Sequence, residues 1–185
     1  LTFPGSLPAS PVTGTAPPGT AIQSWNAALA PDLLYFSNYG RLTIPVEAHF
    51  GDDRPTPYAV FVNAGTISAY NMQFNSLYLQ NNGTLTAGGP LLMQCGTGKL
   101  ENGSSTSIGV TELLANNLKL DHYAMSSSNY MVLTVTNSLF DAGPASGSTL
   151  TAPYGFTLPL KPMTGDLLGT TFQSTAPRFY SVTHT

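Results

Sequence analysis

Charge is scarce in this chain. Asp, Glu, Lys and Arg together make up 8% of 185 residues, against about 25% in ordinary soluble domains. Six Lys and Arg stand against nine Asp and Glu, for a formal net charge of -3. Nucleic-acid binding needs clustered cations to displace counterions from phosphates, and six scattered ones do not form such a cluster. The same scarcity argues against polyanionic partners and acidic membranes. No apolar run approaches the ~20 residues that span a bilayer, so no membrane insertion is expected.

Cysteine is nearly absent too. Cys95 stands alone, which excludes an intrachain disulfide framework and suggests assembly in a reducing compartment. The chain opens at Leu1 without Met and without a charged-then-apolar leader, and is expected to be a piece of a longer protein.

Signatures of catalysis and metal binding are also missing. His49, His122 and His184 show no ligand spacing, so no metal and no cofactor is expected. Cys95 has no base nearby in sequence and is expected to be a small hydrophobe at a strand end. Gly96-Thr97-Gly98-Lys99 lacks the upstream Gly and following Ser/Thr of a phosphate loop. Phe140-Asp141-Ala142-Gly143 is explained by a type I turn. Nothing here points to an enzyme. Asn82-Gly83-Thr84 and Asn102-Gly103-Ser104 match glycosylation acceptors, which matter only in a secreted chain.

What is abundant is period-two alternation. In Tyr130 to Asn137, Met131, Leu133 and Val135 alternate with Tyr130, Val132, Thr134 and Thr136. That gives one apolar face and one polar face, as in a half-buried strand. Arg41 to Phe50 alternates with Leu42, Ile44, Val46, Ala48 and Phe50 on one side, and Pro45 inside it predicts a sheet edge or a bulge. Met72 to Ala87 predicts a hairpin, since Asn81-Asn82-Gly83 separates two alternating runs. Further strands are expected at 33–37, 58–63, 91–95, 107–114, 117–123, 154–161, 171–174 and 178–185, although Glu112 to Ala115 could instead start a helical turn. No repeat of fixed period is evident. The expectation is an all-β, antiparallel β-sandwich of roughly 8–10 strands, with Greek-key or jelly-roll-like connections. Six prolines among residues 1–31 predict an irregular arm or linker, with a short helical turn near 22–30 and Trp25 as its anchor, before a single head domain at 32–185.

Several of these segments carry a resemblance. Met131 to Thr136, Tyr154-Gly155-Phe156-Thr157-Leu158, Thr170 to Thr175 and Phe179 to Thr183 follow one another as the closing strands of adenovirus fibre heads do. Ser76 to Leu85 resembles the hairpin of that family. The T-L-W-T signature of mammalian-type heads is absent, which suggests a divergent, non-mammalian-type member. The resemblance implies a receptor-binding head of a trimeric viral fibre. It would sit on the virion surface after assembly inside the host cell, mediating attachment to a host cell-surface receptor, protein or glycan.

Two alternatives stand beside it. One is the protruding domain of an icosahedral capsid protein. The other is a carbohydrate-binding, lectin-like module using Trp25, Tyr39, Tyr58 or Tyr123 as sugar platforms. The receptor-contact candidates are Asp52, Asp53, Arg54 and Tyr58 in one loop region and Asp121, His122 and Tyr123 in another, because scarce charge coincides with aromatics there. The Asp52-Asp53 pair could also hold Ca²⁺, but Arg54 and the flanking prolines favour an exposed loop.

Overall fold

A computed structural model of the chain describes residues 13–16, 25–26, 35–50, 58–141, 147–157, 170–174 and 180–181. The strands are β1 (Thr13–Ala16), β2 (Trp25–Asn26), β3 (Tyr35–Asn38), β4 (Arg41–Phe50), β5 (Tyr58–Asn63), β6 (Thr66–Asn81), β7 (Thr84–Ala87) and β8 (Leu91–Glu101). They continue with β9 (Ser104–Ser107), β10 (Thr111–Asp121), β11 (Ala124–Ser127), β12 (Met131–Asp141), β13 (Ser148–Thr151), β14 (Phe156–Thr157), β15 (Thr170–Gln173) and β16 (Tyr180–Ser181).

All-β is therefore right, and antiparallel sandwich is wrong. Every recorded pairing is parallel, including β4 with β6, β6 with β8, β8 with β10 and β10 with β12. The chain winds as a β-solenoid of about five turns. One file of aligned residues runs Arg41, Thr66, Thr84, Ser104, Ala124, Thr149, Thr171. Coil length thus varies between 18 and 25 residues, which hides the repeat from a search at fixed period. Parallel neighbours cannot be joined by a tight turn, and here each full coil is the connection.

Asn81-Asn82-Gly83 shows the difference most directly. The strand that follows it, β7, pairs with Thr66–Ala69 at the start of β6 rather than folding back on 72–81. The expected hairpin is a corner between two faces of one coil. Likewise, C-terminal segments that resemble fibre-head strands lie in successive coils as parallel partners, β12 with β14 and β14 with β16. Glu112 to Ala115 is strand, inside β10.

The sixteen-residue strand β6 contains the logic of the coil. Its inward residues are Ile67 and Ala69, then Met72, Phe74 and Ser76, then Leu79 and Asn81. Alternation slips by one residue at Tyr70-Asn71 and again at Leu77-Tyr78, and each slip is a corner, because side chains on one straight strand must alternate. Three faces result, and the apolar residues of all three meet in one core. Pro45 falls at such a slip in β4, where the register to β6 shifts between Ile44 and Glu47. Val46 is therefore 58% exposed rather than inward with Leu42, Ile44, Ala48 and Phe50. In β12, Met131, Leu133 and Val135 face the core as expected.

Parallel stacking places like over like. Phe36 lies on Phe61 with ring centroids 5.0 Å apart, and Phe50 on Phe74, also at 5.0 Å. These spacings match the ~4.8 Å between neighbouring strands. The two columns touch edge to face, with Phe61 and Phe74 at 4.8 Å, a favoured arrangement for aromatic quadrupoles.

Buried amides form a second column. Asn38 donates to Asn63 Oδ1 at 2.7 Å, and Asn63 to Asn81 Oδ1 at 2.7 Å. Each amide also serves its own corner: the Gly40, Gly65 and Gly83 amides donate to the Oδ1 of Asn38, Asn63 and Asn81. Such satisfaction is what permits a buried polar residue. The corner glycines stack so closely that a Cβ on Gly83 would lie 2.0 Å from the Gly65 carbonyl oxygen.

In the next two coils the inward position is Leu100 and then Leu120, and the corner is one residue longer. Asn102 and His122 take up the extra residue in the left-handed region, at φ 51° and 48°.

Of the expected N-terminal arm, β1 pairs with β3 and β2 with β4, both in parallel. The rest of 1–31, including most of the expected helical turn, lies outside the described residues.

Candidate binding surfaces

The longer corner after β8 and β10 gathers much of the chain's scarce charge. Because β8 and β10 align residue for residue, Lys99 stacks on Lys119 and Glu101 on Asp121. Like charges directly opposite repel, so the side chains pair diagonally. Lys99 Nζ lies 2.9 Å from Glu101 Oε2, Lys119 bonds the other Glu101 oxygen, and Lys119 also lies 3.6 Å from Asp121 Oδ2. His122 Nδ1 is 2.6 Å from Asp121 Oδ1.

Burial alone would raise the Glu101 carboxyl. Hydrogen bonds and charge from Lys119 and Lys99 outweigh it, and the net shift is downward. The hydrogen bond with His122 likewise holds Asp121 low, while bonding to Glu101 raises Lys119. The carboxylates stay ionised and the ammonium groups are spent on them, so the corner is an ion-paired patch rather than an acid–base pair. Beside it lies a shallow cleft of about 200 Å³, lined by Tyr78, Thr97, Gly98, Lys99, Asn117, Leu118 and Lys119.

The sequence-based candidates separate here. Asp121 and His122 belong to this patch. Tyr123 does not: it is 1% exposed, and its phenol is the partner of the Asn81 amide in the core. Burial pushes that phenol up to about 12, against the opposing hydrogen bonds of Ser105 and Asn81. Tyr123 can therefore be neither a sugar platform nor a receptor contact. Asp52, Asp53 and Arg54 lie outside the described residues. Tyr58 opens β5, with its side chain outside them, as is that of Trp25. Lys99, Glu101 and Lys119 were missed, although Lys-Leu-Glu at 99–101 and Lys-Leu-Asp at 119–121 stand twenty residues apart.

Cys95 is buried on the inward column between Ser76 and Ala115. Burial pushes its thiol up to about 12, which disfavours the nucleophilic thiolate. Among the described residues, no three His, Cys, Asp or Glu side chains group so as to hold a metal ion.

A second surface lies at the corner between the first two faces, and the sequence did not suggest it. Val46, Tyr70, Ile108, Tyr130 and Tyr154 are 58%, 58%, 66%, 44% and 67% exposed. They fall at the same corner of different coils. Gly89 donates to the Tyr70 carbonyl, Ile108 to Ala87, Thr111 to Tyr130, and Tyr154 to Asn129. In the coil between Tyr70 and Ile108 the corner is Gly88-Gly89-Pro90, and the Tyr70 ring lies against it: a Cβ on Gly88 would be 3.0 Å from Tyr70 Cδ2. The result is a narrow ridge along the solenoid axis, with Val46, Tyr70 and Ile108 at the start of the corner and Tyr130 and Tyr154 toward its end. Charged neighbours among the described residues include the exposed Glu112 beside Tyr130 and Glu47 at one end, which contacts His49 at 3.3 Å and accepts from Asn71 at 3.4 Å. Tyr39, 64% exposed, sits on a different corner.

Comparison with protein families, with curated proteins and with solved structures gives no match to this chain.

Proposed function

We propose that the chain is a segment of a non-enzymatic attachment rod, in which the solenoid carries a contact surface along its length. The observation behind this is the exposed ridge of Val46, Tyr70, Ile108, Tyr130 and Tyr154. Large apolar side chains left in water at one corner of many coils are the mark of an interaction surface rather than of scattered exposure. The scarcity of charge fits a surface that binds through aromatic and hydrogen-bonding contacts.

The fibre resemblance implied a virion as the setting and a homotrimer as the assembly. The sandwich head does not survive, but attachment to a cell-surface receptor, protein or glycan, transfers to a rod. Trimerisation is a separate part of the proposal, and light-scattering mass of the protein in solution decides it.

Beads coated with the chain test the contact surface on cultured cells. The triple variant Tyr70→Ser, Tyr130→Ser, Tyr154→Ser is expected to lose most adhesion while keeping its circular dichroism. Equal adhesion by the folded triple variant would refute the ridge as the contact surface.

A further inference from the structure

Resting on that attachment role, we infer that the ridge binds an extended, uncharged polysaccharide chain lying along the solenoid axis.

The first reason is shape. The five side chains form a narrow stripe in two short files, Val46, Tyr70 and Ile108 at the start of the corner and Tyr130 and Tyr154 toward its end, whereas a stable protein interface engages about 20–30 residues on each side. A ligand that follows so narrow a stripe along the axis is a linear chain.

Spacing gives the second reason. Successive coils are separated by about 4.8 Å, close to the rise of one pyranose in an extended glycan. Tyr130 and Tyr154 occupy adjacent coils, and Tyr70 lies three coils before Tyr130 by the corner pairings. Tyr130 and Tyr154, toward the same end of the corner in adjacent coils, thus present successive platforms to sugar rings of a chain laid parallel to the axis.

Chemistry supplies the third. A tyrosine has an apolar face and a polar tip, which suits the C–H face of a pyranose and the hydroxyls at its edge. No Lys or Arg lies on the described part of the ridge, so nothing there favours an anionic glycan. The carboxylate of Glu47 at one end disfavours it.

The test is affinity electrophoresis of the whole chain through gels holding a neutral, extended polysaccharide (soluble cellulose and xylan derivatives) or an anionic one (polygalacturonate). Retardation is expected in the neutral gels only. Tyr130→Ala and Tyr154→Ala should each weaken it by about tenfold, the corresponding Phe variants should retain most of it because the ring remains, and Tyr39→Ala should change nothing. Absence of retardation in every neutral gel, or retardation in polygalacturonate alone, overturns the inference. So does retention unaffected by the ridge variants. If ridge-dependent adhesion persists on cells stripped of surface glycans, the attachment role stands and the polysaccharide inference fails.

Discussion

The side-chain amide of Asn81 donates to the phenol oxygen of Tyr123, 42 residues along the chain and two coils away. The asparagine column runs coil by coil from Asn38 to Asn81 and then meets leucine at the aligned positions of the next two coils. Tyr123 resolves the mismatch. It stands at the corner position that Gly83 and Gly103 occupy in the two preceding coils, and Gly103 has no side chain to obstruct its reach. Tyr123→Phe should therefore cost about 1–3 kcal/mol, the usual penalty for stranding a buried polar group. Urea denaturation measures it. A neutral result would mean that Asn81 is satisfied by its other acceptors, the Gly83 and Ser104 carbonyls.

Asn63 sits in the middle of that column, accepting from Asn38 and donating to Asn81. Asn63→Ala removes both bonds and should cost more than Tyr123→Phe, roughly 2–4 kcal/mol by the same reasoning. The midpoint of a denaturation curve ranks the two variants.

Gly83→Ala tests close approach rather than backbone conformation. The added methyl would lie 2.0 Å from the backbone oxygen of Gly65, and backbone cannot move aside as a flexible side chain can. Overpacking of this kind should cost about 3 kcal/mol or more. A thermal melt within a degree or two of the parent would contradict the stacking of these corners.

The ion-paired corner predicts a stability plateau with two limbs. Glu101 has a lowered carboxyl in the folded chain, so its contribution is present above the ordinary carboxylate range and is lost as pH falls through the folded value. Lys119 is raised, so its contribution is present below the ordinary lysine value and is lost as pH rises through the folded one. Lys119 is about a third exposed, at 32%, and solvent screening keeps the pair's contribution to about 1 kcal/mol. Lys119→Met should move the acid limb to higher pH, because Glu101 then keeps only Lys99. Denaturation midpoints from acid to neutral pH read the displacement.

Cys95 should resist alkylation by iodoacetamide at neutral pH in the folded chain and react readily in denaturant, since burial raises its thiol to about 12 and closes access to it. Rapid modification of the native chain would show that this interior column opens.

Strand content was legible because alternation is local: Met131, Leu133 and Val135 declare an inward face whatever lies beside them. Strand direction was not, since period two is the same in parallel and antiparallel sheets. Asn81-Asn82-Gly83 is a strong hairpin signal whose residues serve equally well at a solenoid corner, with the Asn turned inward. The repeat Asn-x-Gly at 38–40, 63–65 and 81–83 was there to be read. It was obscured because the next two corners read Glu101-Asn102-Gly103 and Asp121-His122-Tyr123, one residue longer, and because coils differ in length. The phase slips within β6 were a further signal: Tyr70-Asn71 and Leu77-Tyr78 each interrupt the inward series, which a single straight strand cannot do. Two of the five residues of the ionic corner, Asp121 and His122, were legible. The exposed ridge was not, because its members are scattered through the sequence and only the winding brings them to one corner.

Since the backbone hydrogen bonds between coils run along the solenoid axis, tension applied between the ends bears on one rung of the ladder at a time rather than on the whole sheet. Each coil that peels away frees 18–25 residues, or roughly 60–90 Å of extended chain. Pulled lengthwise, the protein would give way in steps and act as a shock absorber, its aromatic and asparagine columns setting the force at which each step yields.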